Sequence, residues 1–163
     1  MDPTPDELAG VVDLFGALTR AELRRGLAEL AFKHGEEYDP GRFADAVEGA
    51  LQSYHLVAVR AGDAGVAGVA DNRVVVVGPV AFPALPERAS DLPHILDVPD
   101  RDPDHEAAAA AAATRFRQDA ATAIDGGDGE RVRTLLDVSY ELEAWGRLDL
   151  SATRERMDDA LPR

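Results

Sequence analysis

The stretch Asp39-Pro40-Gly41-Arg42-Phe43-Ala44-Asp45-Ala46-Val47-Glu48-Gly49-Ala50-Leu51-Gln52-Ser53-Tyr54, followed by His55 and then by LVAVR (56–60), AGDAGVAGVADN (61–72) and RVVVV (73–77), decides the fold. It opens on an acid followed by proline, an N-cap residue and the favoured first helical residue. Phe43, Val47, Ala50, Leu51 and Tyr54 recur at the 3.6-residue period, so the spacing predicts a helix over 40–54 with those residues in the core. Arg42, Asp45, Glu48, Gly49 and Gln52 face away from it. The period then changes. Residues 56–60 and 73–77 are short β-branched runs, the second stopped by Gly78-Pro79, and the Gly-rich segment between them makes the pair a hairpin. Twelve residues are too many for a tight turn, so 61–72 is expected to be a flap, with Gly65–Val69 partly extended.

Two more helices lie upstream. Over 6–18, Leu8, Val11, Val12, Phe15 and Leu18 share one helix face. The next helix begins at Thr19, with Glu22 placed to complete a capping box. Leu23, Leu27, Leu30 and Ala31 form its stripe, and Gly35 its stop. Downstream, residues 79–103 hold six of the ten prolines, which excludes a long helix or central strand. Phe82, Leu85, Leu92, Ile95 and Leu96 nevertheless fall there, so the segment is expected to be an extended strap packed over the first unit. Asp104 caps an Ala-rich helix to Ile124. Asp125–Gly129 breaks it, a second helix spans about 130–147, and Ser151 caps a last one to Leu161. The five-residue break suits an antiparallel helical hairpin, expected to be too Ala-rich to stand alone.

Three helices followed by a hairpin over 6–80 resemble a winged helix-turn-helix domain in order and length. The expected fold is therefore mostly α with a small β-hairpin: a winged-helix-like unit (1–82), the strap (83–103), and a C-terminal helical hairpin with a short terminal helix (104–163). The resemblance implies a reading helix at 40–54 and a wing at 61–72, in a family whose third helix reads the major groove. Candidate contacts to DNA or to a partner are Arg20, Arg24, Arg42, Gln52, Arg60 and Arg73. The chemistry of that surface departs from the family's. The helix offers Arg42 against Asp45 and Glu48, and the wing carries Asp63 and Asp71. Phosphate contacts supply most affinity for DNA and each needs a cation, so a protein partner, a second copy included, is expected before DNA.

The charge balance has its own reading. Asp and Glu number 31 against 17 Lys and Arg, a net charge of −14, and Lys33 is the one lysine. Both halves of the chain share the acidity, so it is no acidic tail. Abundant Asp and Ala with almost no lysine point to a salt-rich cytoplasm, where the screening length falls to about 3 Å and carboxylates barely repel. Leu, Ile, Val and Phe make up about 24% of the chain, above the roughly 20% floor for folding. No apolar run has the roughly 18 residues of a membrane helix. The acidic, Pro-broken start (Met1–Glu7) is the opposite of a secretory signal. A cytoplasmic protein with no membrane contact is expected.

The strings DELAGVVDLFGALTRAELRRGLAELAFKHG (6–35), GPVAFPALPERASDLPHILDV (78–98) and LLDVSYELEAWGRLDL (135–150) are similar to an uncharacterised acidic domain family of halophilic archaea. That resemblance implies such an origin and a single-unit architecture, and it carries no catalytic residue.

Chemistry is not signalled. The chain has no cysteine, hence no thiolate, disulfide or zinc finger. His34, His55, His94 and His105 lack the i, i+4 spacing of a helical metal site, and His34 reads as a cation at a helix C-terminus. Asp100, Asp102 and Asp104 alternate like the first ligands of a calcium loop, but His105 and Ala111 stand where glycine and glutamate belong. Gly126–Gly129 follows a helix and lacks the P-loop Lys and Ser/Thr. Gly62, Gly65 and Gly68 precede a strand, not the helix of a dinucleotide site. Ser53, Ser90, Ser139 and Ser151 form no nucleophile elbow. Trp145 and Tyr140 sit beside a leucine stripe and read as core. No cofactor, metal or catalytic residue is assigned. The expected function is a non-enzymatic interaction or regulatory module, with a DNA-binding transcription regulator as the alternative and an enzyme without a recognisable motif as the third.

Overall fold

A computed structural model describes residues 1–162. Among these residues, seven helices and one two-stranded hairpin make the protein mostly α. The order is α1 (Pro5–Asp13), α2 (Arg20–Lys33), α3 (Pro40–Gln52), β1 (Leu56–Arg60), β2 (Arg73–Val77), the single turn α4 (Leu92–Ile95), α5 (His105–Asp125), α6 (Gly129–Gly146) and α7 (Ser151–Ala160). The chain divides into two compact units, 1–104 and 105–163. Residues 83–103 fall within the first unit.

The first three helices start on side-chain caps. Thr19 and Glu22 form the capping box expected from their spacing, and Asp39 accepts from the backbone N–H of Arg42. Thr4 and Glu7 form a second capping box at α1, a Thr-x-x-Glu signal that begins just ahead of the apolar stripe.

Helix α1 stops five residues before the expected Leu18. Gly16 turns the chain at φ +85°, a conformation glycine adopts without a steric penalty. Phe15 and Leu18 remain buried outside the helix. Leu18 instead exchanges two backbone hydrogen bonds with Val75, of 3.1 and 2.7 Å, forming an antiparallel bridge on the outer side of β2. Helix α3 likewise ends at Gln52 rather than 54, because Tyr54 takes φ 64° and starts the turn into β1.

β1 and β2 pair in the register Leu56↔Val77 to Arg60↔Arg73. Leu56 and Val75 join the core formed by Leu8, Val11, Val12, Phe15, Leu23, Leu27, Leu30, Phe43, Val47 and Leu51. Val57, Val59, Val74 and Val76 on the opposite face are buried as well. Residues 61–72 are not an extended flap. They fold as successive turns with Ala61, Ala64 and Val66 buried. Asn72 accepts from the N–H of Gly62 through its side chain and from Ala61 through its carbonyl. Intrinsic turn bonding plus three buried apolar side chains outweighs the flexibility that the glycines suggested.

The strap follows α2 in reverse. Ala84 donates its N–H to the Asp6 carbonyl, at a point where Gly10 allows close approach. Arg88 then donates to the Lys33 carbonyl, Leu92 and Leu96 pack near Gly26, and Arg101 reaches Glu22 at the other end of α2. Just beyond the strap, Asp104 donates its N–H to the Ala64 carbonyl in the hairpin loop. Of the five apolar residues expected to pack, Leu92 and Leu96 are buried, whereas Phe82, Leu85 and Ile95 are exposed. Against the expectation, the strap is not extended throughout, because residues 89–95 wind into a 3-10 turn and α4, and only some of its apolar side chains point inward.

The second unit is a bundle of α5, α6 and α7 with its own core of Phe116, Val132, Leu135, Leu142, Leu150 and Met157. Ala108, Ala109, Ala112, Ala113 and Ala120 of α5 are buried in the same unit, since alanine allows close helix approach. Ser151 is the first residue of α7 rather than its cap. Asp149 accepts from its N–H and hydroxyl, and Glu143 from the N–H of Leu150.

Candidate interaction surface

Of the six candidate residues, two are held in ion pairs with carboxylates. Arg20, at the start of α2, donates to Glu48 on α3 at 3.2 Å. Arg42 on α3 pairs with Asp2. Arg60 and Arg73 lie directly opposite each other at the distal end of the hairpin and are exposed. Arg24 is exposed one turn beyond Arg20, and Gln52 is exposed as the last residue of α3. Arg42, Asp45, Glu48, Gly49 and Gln52 are exposed on the outward face of α3, as the periodicity implied, and Gly41 and Ala44 are exposed as well. Both arginines nearest to it are drawn into pairs with carboxylates. Exposed ion pairs are individually weak, about 0–1 kcal/mol, but each removes a cation that a phosphate would need.

Three arrangements carry no signal in the sequence. The Arg101–Glu22 fork joins the strap to α2, with N–O distances of 2.7 and 3.1 Å. Burial pushes the Glu22 carboxyl up. The Arg101 hydrogen bonds, the Thr19 N–H and the guanidinium charge outweigh that and hold it below its usual value. His55 lies between Ser53, 2.6 Å from its Nδ1, and Asp6, 3.6 Å from its Nε2. Asp6 also accepts from the N–H of Phe82, so this group ties α1 and the turn after α3 to the start of the strap. In the second unit Arg154 donates to Glu143 and to buried Ser139, and stacks on Tyr140 at 4.4 Å. Arg154 and the Leu150 N–H lower the Glu143 pKa. All three join residues far apart in sequence or on separate elements, and no local pattern marks them. Tyr140 is exposed and Trp145 only half-buried, against the expectation that both are core.

Among the described residues no three His, Cys, Asp or Glu side chains come together as a metal site, and no helix is long and apolar enough to cross a membrane. His34 sits at the C-cap of α2 and its Nε2 donates to the Glu87 carbonyl at 2.7 Å.

The architecture and the site define a mostly helical protein whose first unit presents an acid-neutralised third helix beside a small hairpin. The chain belongs to a family of unknown function, DUF7109, whose model matches residues 6–162 and so spans both units. No curated protein and no solved structure matches it.

Proposed function

We propose that the first unit is a winged-helix-like module that acts by binding protein, a second copy of the chain included, without chemistry of its own, in the cytoplasm of a halophilic archaeon. The Leu18–Val75 bridge supports the winged-helix reading, because it adds a strand segment between the first two helices to the edge of the hairpin. The observation that carries the choice of partner is the outer face of α3. Asp45 and Glu48 are exposed on it, while Arg20 and Arg42 are held by Glu48 and Asp2. A surface so neutralised gives little counterion release on DNA. The even spread of acidic residues and the scarcity of lysine support the saline setting.

The second reading, a DNA-binding transcription regulator, draws on Arg60 and Arg73. Like charges directly opposite in a sheet disfavour each other, and a phosphate between them would relieve that. A pull-down with the full chain at molar KCl, read for protein and for DNA, separates the two. The proposal expects a stoichiometric protein, or the chain itself, without DNA. Recovery of DNA that is lost in an Arg60→Ala, Arg73→Ala double variant would overturn it.

A further inference from the structure

The second unit carries an open depression of about 670 Å³ lined by His105, Glu106, Ala144, Trp145, Gly146 and Arg147. Its size lies within the range of small-molecule sites, roughly 300–1,000 Å³. The indole is held in place. The His105 ring packs edge-on to it at 4.5 Å between centroids, and His105 Nε2 donates to the Trp145 carbonyl at 2.7 Å. A carbonyl can only accept, so Nε2 carries a hydrogen here and the bond fixes the ring orientation of His105.

Arg147 completes the wall. It is exposed, and none of the ion pairs among the described residues includes it. It stands at φ 53°, ψ 48°, a left-handed conformation disfavoured for residues with a Cβ. The glycine that would adopt it freely is one place earlier, at Gly146. There a Cβ would meet Leu148 at 2.8 Å and Ala109 at 3.0 Å. Packing therefore needs the glycine at 146 and leaves the turn to an arginine at the rim of the depression.

We infer that this depression binds a small aromatic monocarboxylate, with the ring against Trp145 and the carboxylate on Arg147. A planar guanidinium takes a carboxylate through two parallel hydrogen bonds. Arg147 supplies a single guanidinium to the lining, a match for the one negative charge of a monocarboxylate rather than for a phosphate dianion.

Trp145 is the only tryptophan of the chain, so its emission reports on the site directly. Phenylacetate is the probe, added to the full chain in the potassium chloride buffer in which it is folded and excited where phenylacetate does not absorb. A saturable change in Trp145 emission is expected. The affinity falls about tenfold or more in Arg147→Met and for the neutral analogue phenylacetamide, the size of one lost charge-assisted contact. Arg147→Lys, which keeps the charge, falls between. The absence of a saturable change overturns the inference, as does equal binding of phenylacetate and phenylacetamide, or equal competition by inorganic phosphate.

Discussion

Arg101 grips Glu22 with both ends of its guanidinium, at 2.7 and 3.1 Å, across 79 positions of sequence. The same Glu22 carboxylate closes the capping box at the start of α2 by accepting from the N–H of Thr19. Arg101 also donates to the Ala17 carbonyl, and its own N–H reaches the Phe15 carbonyl at 2.7 Å. One contact thus fixes the entry to α2 and the far end of the strap together. Both side chains are largely enclosed, at 10% and 15% exposure, so this pair is held more firmly than the exposed pairs on α3.

Removing one partner of this fork is expected to cost more than removing both. Arg101→Met leaves Glu22 half-buried without its cation and should destabilise the first unit by about 2–3 kcal/mol. Adding Glu22→Gln to Arg101→Met should recover part of that loss. A double-mutant cycle by urea unfolding measures the coupling, and additive losses would show the two groups to be independent.

The same pair sets an acid limb. Because the folded state holds the Glu22 pKa below its unfolded value, its contribution is present above the unfolded value and disappears as pH falls through the folded one. Stability of the wild type should decline with acid more steeply than that of Glu22→Gln in that window. Parallel pH profiles by thermal unfolding would remove Glu22 as the cause.

Two glycines in helices should respond to alanine with opposite signs. A Cβ added at Gly49 on α3 would have no atom within 4 Å, so Gly49→Ala gains the helix propensity, about 0.5–1 kcal/mol. At Gly10 on α1 the Cβ would meet the Ala84 carbonyl oxygen at 2.1 Å. Gly10→Ala should therefore displace the strap and destabilise by about 1–3 kcal/mol. Chemical denaturation reads the stabilities, and limited trypsin cleavage after Arg88 reads the strap.

Salt should stabilise the whole chain. With a net charge of −14, screening and salting-out both favour the folded state as KCl rises from low to molar concentration. A thermal midpoint that climbs strongly over that range is expected. A midpoint indifferent to KCl would argue against the saline setting.

Much of the fold is legible in the sequence because its signals are local. The N-cap at Asp39, the capping box at Thr19–Glu22, the stop at Gly35 and the outward face Arg42, Asp45, Glu48, Gly49 and Gln52 each depend on residues within a turn or two. Both strands follow from β-branched runs between turn residues. Expectation and structure part where a distant partner intervenes. Phe15 and Leu18 continue a helical stripe, yet the chain leaves the helix at Gly16 so that Leu18 can bond to Val75, 57 positions on. Phe82, Leu85 and Ile95 are as apolar as Leu92 and Leu96, and only the course of the strap decides which of them face in.

The candidate surface shows the same division. Periodicity places Arg42 and Glu48 on the outside of α3, but not the ion pairs to Asp2 and Arg20 that neutralise them. The helices, the hairpin and the acidic exterior follow from residue order and composition, because period and caps act over a few residues and charge acts on the solvent as a whole. Three-dimensional packing is what brings Glu22 to Arg101, lays Ala84 over Gly10 and sets Trp145 in the wall of a depression. Those contacts depend on how distant segments approach, and many sequences with the same local pattern would leave them unmade.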